Sequence, residues 1–133
     1  MYQRHLIFAI LLASGACVSK SPARTPFERG YQSAAYDRCL ASARGVRPIE
    51  HCAALEIDDQ RRQLDASYAD LLATQPLSQR TRLIRDQNRW DEAMQAHCMV
   101  FSRRPGSLNS MKAQACFLDE IISRRRELAR NRD

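Results

Sequence analysis

Five cysteines and two His-Cys dipeptides are the residues of this 133-residue chain best suited to chemistry. His51-Cys52 and His97-Cys98, together with Cys39 and Cys116, offer imidazole nitrogen and thiolate sulfur, the ligand types that zinc prefers. Their spacing argues against a metal. The sequence has no C-x2-C or H-x3-H pair, and an even set of cysteines in an exported chain signals bridges. No metal or cofactor is expected.

Hydrolysis would need a nucleophile with a base, or two carboxylates facing one cleft. The acidic candidates are Glu56, Asp58, Asp59 and Asp65, then Asp91 and Glu92, then Asp119 and Glu120. Each group is interleaved with Arg or Gln on what reads as the polar side of a helix, the pattern of a solvated, ion-paired face. The protein is therefore expected not to be an enzyme.

Lys and Arg outnumber Asp and Glu by 21 to 15, and the only lysines are Lys20 and Lys112. Arg80, Arg82, Arg85 and Arg89, and the run Arg124-Arg125-Arg126, could meet phosphates. An exported chain encounters anionic lipid or wall polymer rather than nucleic acid, so no nucleic-acid partner is expected. The simpler reading places these arginines near helix C-termini, where they favour the macrodipole, and on a soluble face. Arg103, Arg104, Pro105 and Gly106 form a separate case, an exposed turn suited to insertion into a partner.

Export is written in the first residues. Met1-Tyr2-Gln3-Arg4-His5 precedes an apolar run from Leu6 to Ala13, which is too short to cross a membrane, where roughly 20 apolar residues are needed. Residues 1–16 thus read as a signal peptide. Ser14-Gly15-Ala16-Cys17 resembles a bacterial lipobox with Ser14 where Leu is usual, so Cys17 is expected to carry a lipid and a membrane anchor. Ordinary cleavage nearby, leaving a soluble periplasmic protein, is the alternative. Parity favours the lipid, because removing Cys17 from the count leaves Cys39, Cys52, Cys98 and Cys116 as an even set. Cleavage there costs the mature chain only Arg4 from its formal balance, which falls from +6 to +5.

Residues 17–30 are broken by Pro22 and Pro26 and read as a tether, leaving residues 31–133 as one domain. That domain is rich in Ala, Leu, Arg, Gln and Glu with little alternation, which predicts an all-α fold of about four helices. The first runs from about Tyr31 to Arg44. The second starts at Pro48 and places Ile49, Ala53, Ile57, Leu64, Tyr68, Leu71 and Leu72 on one face before Pro76 ends it. The third carries the stripe Leu83, Gln87, Trp90, Met94, His97, Cys98 and Phe101. Ser107 is expected to cap a fourth helix that buries Leu108, Met111, Ala115, Leu118, Ile122 and Ala129. The expected architecture is a long antiparallel hairpin with a shorter N-terminal helix.

Helices joined by a short turn lie antiparallel, so residues equally far from the turn become neighbours. That geometry selects Cys39 with Cys52 and Cys98 with Cys116. Loops of this size give on the order of 3 kcal/mol per bridge in the chain-entropy picture.

With these residues placed, the segment from Cys39 to Leu128 resembles the LprI-type lysozyme inhibitor domain. The resemblance rests on Cys39, Glu50 with Cys52, Leu64-Asp65 with Tyr68, Leu83 with Gln87 and Trp90, Cys98, Cys116, and Arg124 with Glu127 and Leu128. Where the family usually has Tyr-Arg-Asp after the Trp region, this chain has Ala93-Met94-Gln95. The resemblance implies an envelope protein that inhibits lysozyme or another peptidoglycan hydrolase by direct binding. The net positive charge gives no long-range steering toward a basic host lysozyme, so a wall hydrolase of bacterial origin fits as well. The alternative is a non-inhibitory envelope structural or adaptor protein that binds peptidoglycan, anionic lipid or a membrane partner.

Overall fold

The structure is a computed structural model and describes residues 31–131. The expected signal peptide (residues 1–16), the expected lipid site Cys17 and the expected tether (residues 17–30) lie outside the described residues. Four helices follow in order, α1 (Ala34–Ser42), α2 (Val46–Thr74), α3 (Leu77–Ser102) and α4 (Ser107–Arg130), with no strand among the described residues.

Local chemistry sets the helix ends. Ser33 caps α1 by accepting a hydrogen bond from the Tyr36 N–H at 3.0 Å. The short first helix therefore starts at Ala34 rather than Tyr31, and it stops at Ser42. Gly45, at φ 87°, supplies the left-handed residue that turns the chain into α2. This lets α2 begin at Val46, two residues before the expected Pro48, which then sits within the first turn where its missing N–H costs nothing. Pro76 precedes α3 and its carbonyl accepts from the N–H groups of Gln79 and Arg80.

The start of α4 departs from expectation. Gly106, at φ 132°, occupies the cap and makes no side-chain cap bond, while Ser107 is the first helical residue. The Gly106 carbonyl accepts from the Asn109 and Ser110 N–H groups. The sharp reversal after Pro105 requires a backbone conformation that glycine tolerates and serine does not, so the cap falls on Gly106.

Side-chain links fix the helix directions. Gln114 reaches the Glu50 carbonyl and Arg125 reaches Gln60 and Gln63, so α2 and α4 run parallel. Cys98 pairs with Cys116 and Gln87 with Arg124, so α3 runs antiparallel to α4. The α2–α3 hairpin is splayed, and α4 lies in the opening, packed closely against both arms. The short α1 lies on the first half of α2.

The core is the seam between these three long helices. Leu64, Leu71, Met94, Cys98, Ile121 and Leu128 are buried there, with Ile57, Tyr68, Leu83, Trp90, Cys116 and Phe117 packed around them. On α2 and α3 the expected stripes mostly face inward, although His97 is exposed. On α4 the expected stripe is only half right. Leu118 and Ile122 are buried, but Leu108, Ala115 and Ala129 are exposed, and Ala113, Ile121, Arg124 and Leu128 take their place. A helix flanked on two sides buries a broader and rotated face than one packed on a single neighbour.

Two disulfides staple this frame. Cys39 joins Cys52 with their Cα atoms 5.7 Å apart, and Cys98 joins Cys116 at 5.5 Å. The first ties α1 to α2 and the second ties α3 to α4, each beside the turn between them. These are the pairings that the antiparallel geometry selects.

Candidate functional site

The fold gathers its polar residues into two internal clusters and one exposed tip. In the first cluster two arginines lie against Trp90. The guanidinium carbons of Arg61 and Arg124 each lie 5.7 Å from its ring centroid. Arg124 is buried, at 8% exposure, and projects from the C-terminal third of α4. Its Nε donates to Gln87 Oε1 at 2.9 Å, and a terminal nitrogen donates to Glu127 Oε2 at 2.7 Å. Arg61, on α2, pairs with Asp91 on α3. Tyr68 packs against the same core, and burial raises its phenol above the ordinary 10.0, with the nearby Arg124 charge opposing that rise.

The second cluster ties the start of the domain to its interior. Glu56 is only 2% exposed. Its carboxylate accepts from the Ser33 backbone N–H at 2.8 Å, from the Ser33 hydroxyl, and from Gln60 Nε2 at 2.7 Å. Gln60 also donates to the Tyr31 carbonyl and accepts from Arg125, which donates to Gln63 as well. Arg126 lies over the Tyr31 ring at 4.2 Å. The chain entering the domain at Tyr31 is therefore clamped to both α2 and α4.

These clusters correct two expectations. Glu56 was grouped with a solvated acidic face, and it is instead a buried, fully engaged carboxylate. The run Arg124-Arg125-Arg126, expected to face phosphates or solvent, instead meets amide, carboxylate or aromatic partners within the domain. Unpaired charges cannot be buried at tolerable cost, and here each has found partners. Asp59 is engaged by Arg62 and Gln63, Asp65 by Arg61, and Asp91 by Arg61 and Gln95. Among the α3 arginines, Arg80 donates to the Ala73 and Gln75 carbonyls at the end of α2, and Arg89 pairs with Asp86.

The tip is the turn between α3 and α4. Arg103, Arg104, Pro105 and Gly106 are all exposed. Around them stand Met99, Val100 and Leu108, exposed at 50%, 52% and 62%. The tip thus combines two guanidinium groups with three uncovered apolar side chains, close to the Cys98–Cys116 bridge. The Arg104 carbonyl accepts from the Asn109 side chain at 3.2 Å, which adds a second restraint on the turn.

A protein-family description, lysozyme inhibitor LprI, matches residues 39–128, about two thirds of the chain. The chain belongs to the LprI lysozyme inhibitor family. Searches of curated proteins and of solved structures found no match.

The residues that carry the LprI resemblance fall mainly inside the fold. Leu64, Tyr68, Leu83, Gln87, Trp90, Arg124, Leu128 and the four bridge cysteines build or border the core and its first polar cluster. In LprI terms, this set specifies the scaffold. The tip residues contribute nothing to that set. What the sequence reading missed is the burial of Glu56, Gln60 and Arg124, and the signal was present. Glu56 and Gln60 stand at three- and four-residue steps between Ala53 and Leu64, and Arg124 stands between Ile121 and Leu128, so position on the stripe outweighs side-chain polarity.

Two outcomes follow from the first cluster. Replacing Arg124 with Lys removes the fork that serves Gln87 and Glu127 together and should lower stability by about 2 kcal/mol in urea denaturation, with helix content retained. Because the Tyr68 phenol is raised in the folded state, its contribution is intact below pH 10 and is lost as pH climbs through the raised value. Tyr68→Phe should flatten that alkaline decline relative to the parent protein, measured as melting temperature against pH.

Proposed function

We propose that this protein inhibits lysozyme or a related peptidoglycan hydrolase by direct binding, with the tip of residues 103–106 entering the enzyme's cleft. Membership of the LprI family carries the reading. The exposed arginines and apolar side chains at the tip support it, because Arg and large apolar residues are the usual anchors of tight protein interfaces. A turn already restrained by a bridge loses little conformational freedom on binding.

Local charge resolves the difficulty posed by the net positive charge. Glycoside hydrolases commonly hold a pair of carboxylates across the scissile bond. Arg103 and Arg104 complement such a pair at contact range, whereas repulsion between two basic surfaces is screened beyond about 8–10 Å at physiological salt. A hydrolase with an acidic cleft is thus a suitable target whether its overall charge is basic or acidic.

An anchored position suits the role. A lipid on Cys17 and a tether over residues 17–30 would hold the domain in the envelope, where wall hydrolases act. No helix among the described residues is long and apolar enough to cross a membrane. Tyr31 and Ser33 are clamped to the domain, so a tether ending there would leave from a fixed point, which supports a constant orientation toward a membrane.

Oxidised protein should suppress muramidase activity for at least one enzyme in a panel of host and bacterial hydrolases. The double variant Arg103→Ala, Arg104→Ala should weaken that inhibition by roughly tenfold or more, about 1.4 kcal/mol or above, with an unchanged melting temperature. Loss of inhibition across the whole panel, together with salt-sensitive binding to purified sacculi, would transfer the function to an envelope adaptor.

A further inference from the structure

The Cys98–Cys116 bridge does not stand alone. His97 Nδ1, Cys98 Sγ and Cys116 Sγ all lie within 4.8 Å of one another. Glu120 Oε1 sits 3.1 Å from the same His97 nitrogen, and that nitrogen is 4.0 Å from Cys116 Sγ. Three donors are therefore gathered, and the Glu120 carboxylate stands beside His97 as a fourth, so that each helix supplies two. His97 and Cys98 are neighbours in α3, while Cys116 and Glu120 are one helical turn apart in α4.

Chain spacing conceals this arrangement, since His97-Cys98 and Cys116 are separated by a turn and have no paired-cysteine pattern. The antiparallel packing of α3 on α4 assembles it. Burial is graded across the group, with Cys98 fully buried, Cys116 half-buried and His97 exposed. An ion could enter from the His97 and Glu120 side and meet the sulfurs behind.

We propose that this cluster is a redox-exchangeable zinc site, in which a disulfide and a metal are alternative pins between α3 and α4. A dithiol reductant delivers two electrons and two protons to the bridge, leaving two cysteine thiols and the reductant's own disulfide. Zinc then displaces both thiol protons to solvent and accepts lone pairs from the two thiolates, the neutral His97 imidazole and the Glu120 carboxylate. Four protein ligands of nitrogen, oxygen and sulfur type make a closed tetrahedral set, the form of a structural site. The Cα atoms of Cys98 and Cys116 are already 5.5 Å apart, so the helices need no large movement to place both sulfurs at about 2.3 Å from one ion.

The exchange would preserve the pinned tip when the bridge is reduced, because thiolate ligation ties the same two helices at the same place. Metal binding that requires deprotonated ligands also stabilises the folded state directly. The other bridge shows no such company, as His97, Cys98 and Cys116 form the group found among the described residues.

Cobalt(II) tests the proposal, since its thiolate charge-transfer and tetrahedral d–d absorption report both ligand type and geometry. The purified protein is reduced with a phosphine, freed of metal with a chelator, and titrated with cobalt and then zinc. One cobalt per chain should bind with a thiolate band that zinc abolishes, and the oxidised protein should show no such band. His97→Ala should weaken binding by roughly ten- to a hundredfold and Glu120→Gln should weaken it in the same direction, whereas Cys39→Ser with Cys52→Ser should leave the band in place. Should the reduced metal-free chain unfold, added zinc should restore its helical circular dichroism. The proposal is overturned by a reduced protein that gives no thiolate band and regains no helicity. It is equally overturned by a band whose affinity is untouched by His97→Ala, which would place the metal on other thiols.

Discussion

A guanidinium buried on the C-terminal third of α4 is the constraint around which this domain is arranged. Arg124 cannot shed its charge, so the fold must supply partners wherever its head lies. Gln87 and the Trp90 face from α3, and Glu127 from its own helix, meet that demand. Arg61, over the same indole, brings in α2. This cluster thereby couples the three long helices in a specific register, because sliding α4 by one residue would carry the Arg124 head away from Gln87 and the Trp90 face. Apolar packing supplies the bulk of the stabilisation, and the arginine supplies the register.

The same logic explains what could be read from the sequence. Helix number, the approximate turns and the α2 and α3 faces were legible because apolar residues recur at three and four residue steps, and because Gly45, Pro76 and Pro105-Gly106 punctuate them. The pairing of Cys39 with Cys52 and of Cys98 with Cys116 was legible because each pair straddles one turn. The inward face of α4 was not. A helix that fills the opening of a splayed hairpin buries polar residues as well as apolar ones, and a reading that assigns Arg and Glu to the surface by type misplaces Arg124 and Glu56. Gly106 taking the cap from Ser107 has a related cause, since the reversal demands a positive φ that residue preference alone does not announce.

Scaffold and recognition are separated in this molecule. The residues that carry the family resemblance are consumed by internal contacts, in the Trp90 cluster, the bridges and the aliphatic seam. In the proposed inhibition, contact with a hydrolase would draw on surfaces outside that set, and the α3–α4 tip offers restrained backbone, two arginines and uncovered Met99, Val100 and Leu108. The substitution of Ala93-Met94-Gln95 for the usual Tyr-Arg-Asp follows the same division. Met94 is buried against the core, while Ala93 and Gln95 are exposed, so the change alters one outer strip of α3 and leaves the frame intact.

Amide hydrogen exchange, read with and without a hydrolase bound, tests the central claim most directly. Protection gained on binding should concentrate on residues 99–108, with the outer face of α2 unchanged. Protection spread along α2 with the tip unaffected, or no protection with any enzyme of the wall-hydrolase class, would contradict the account.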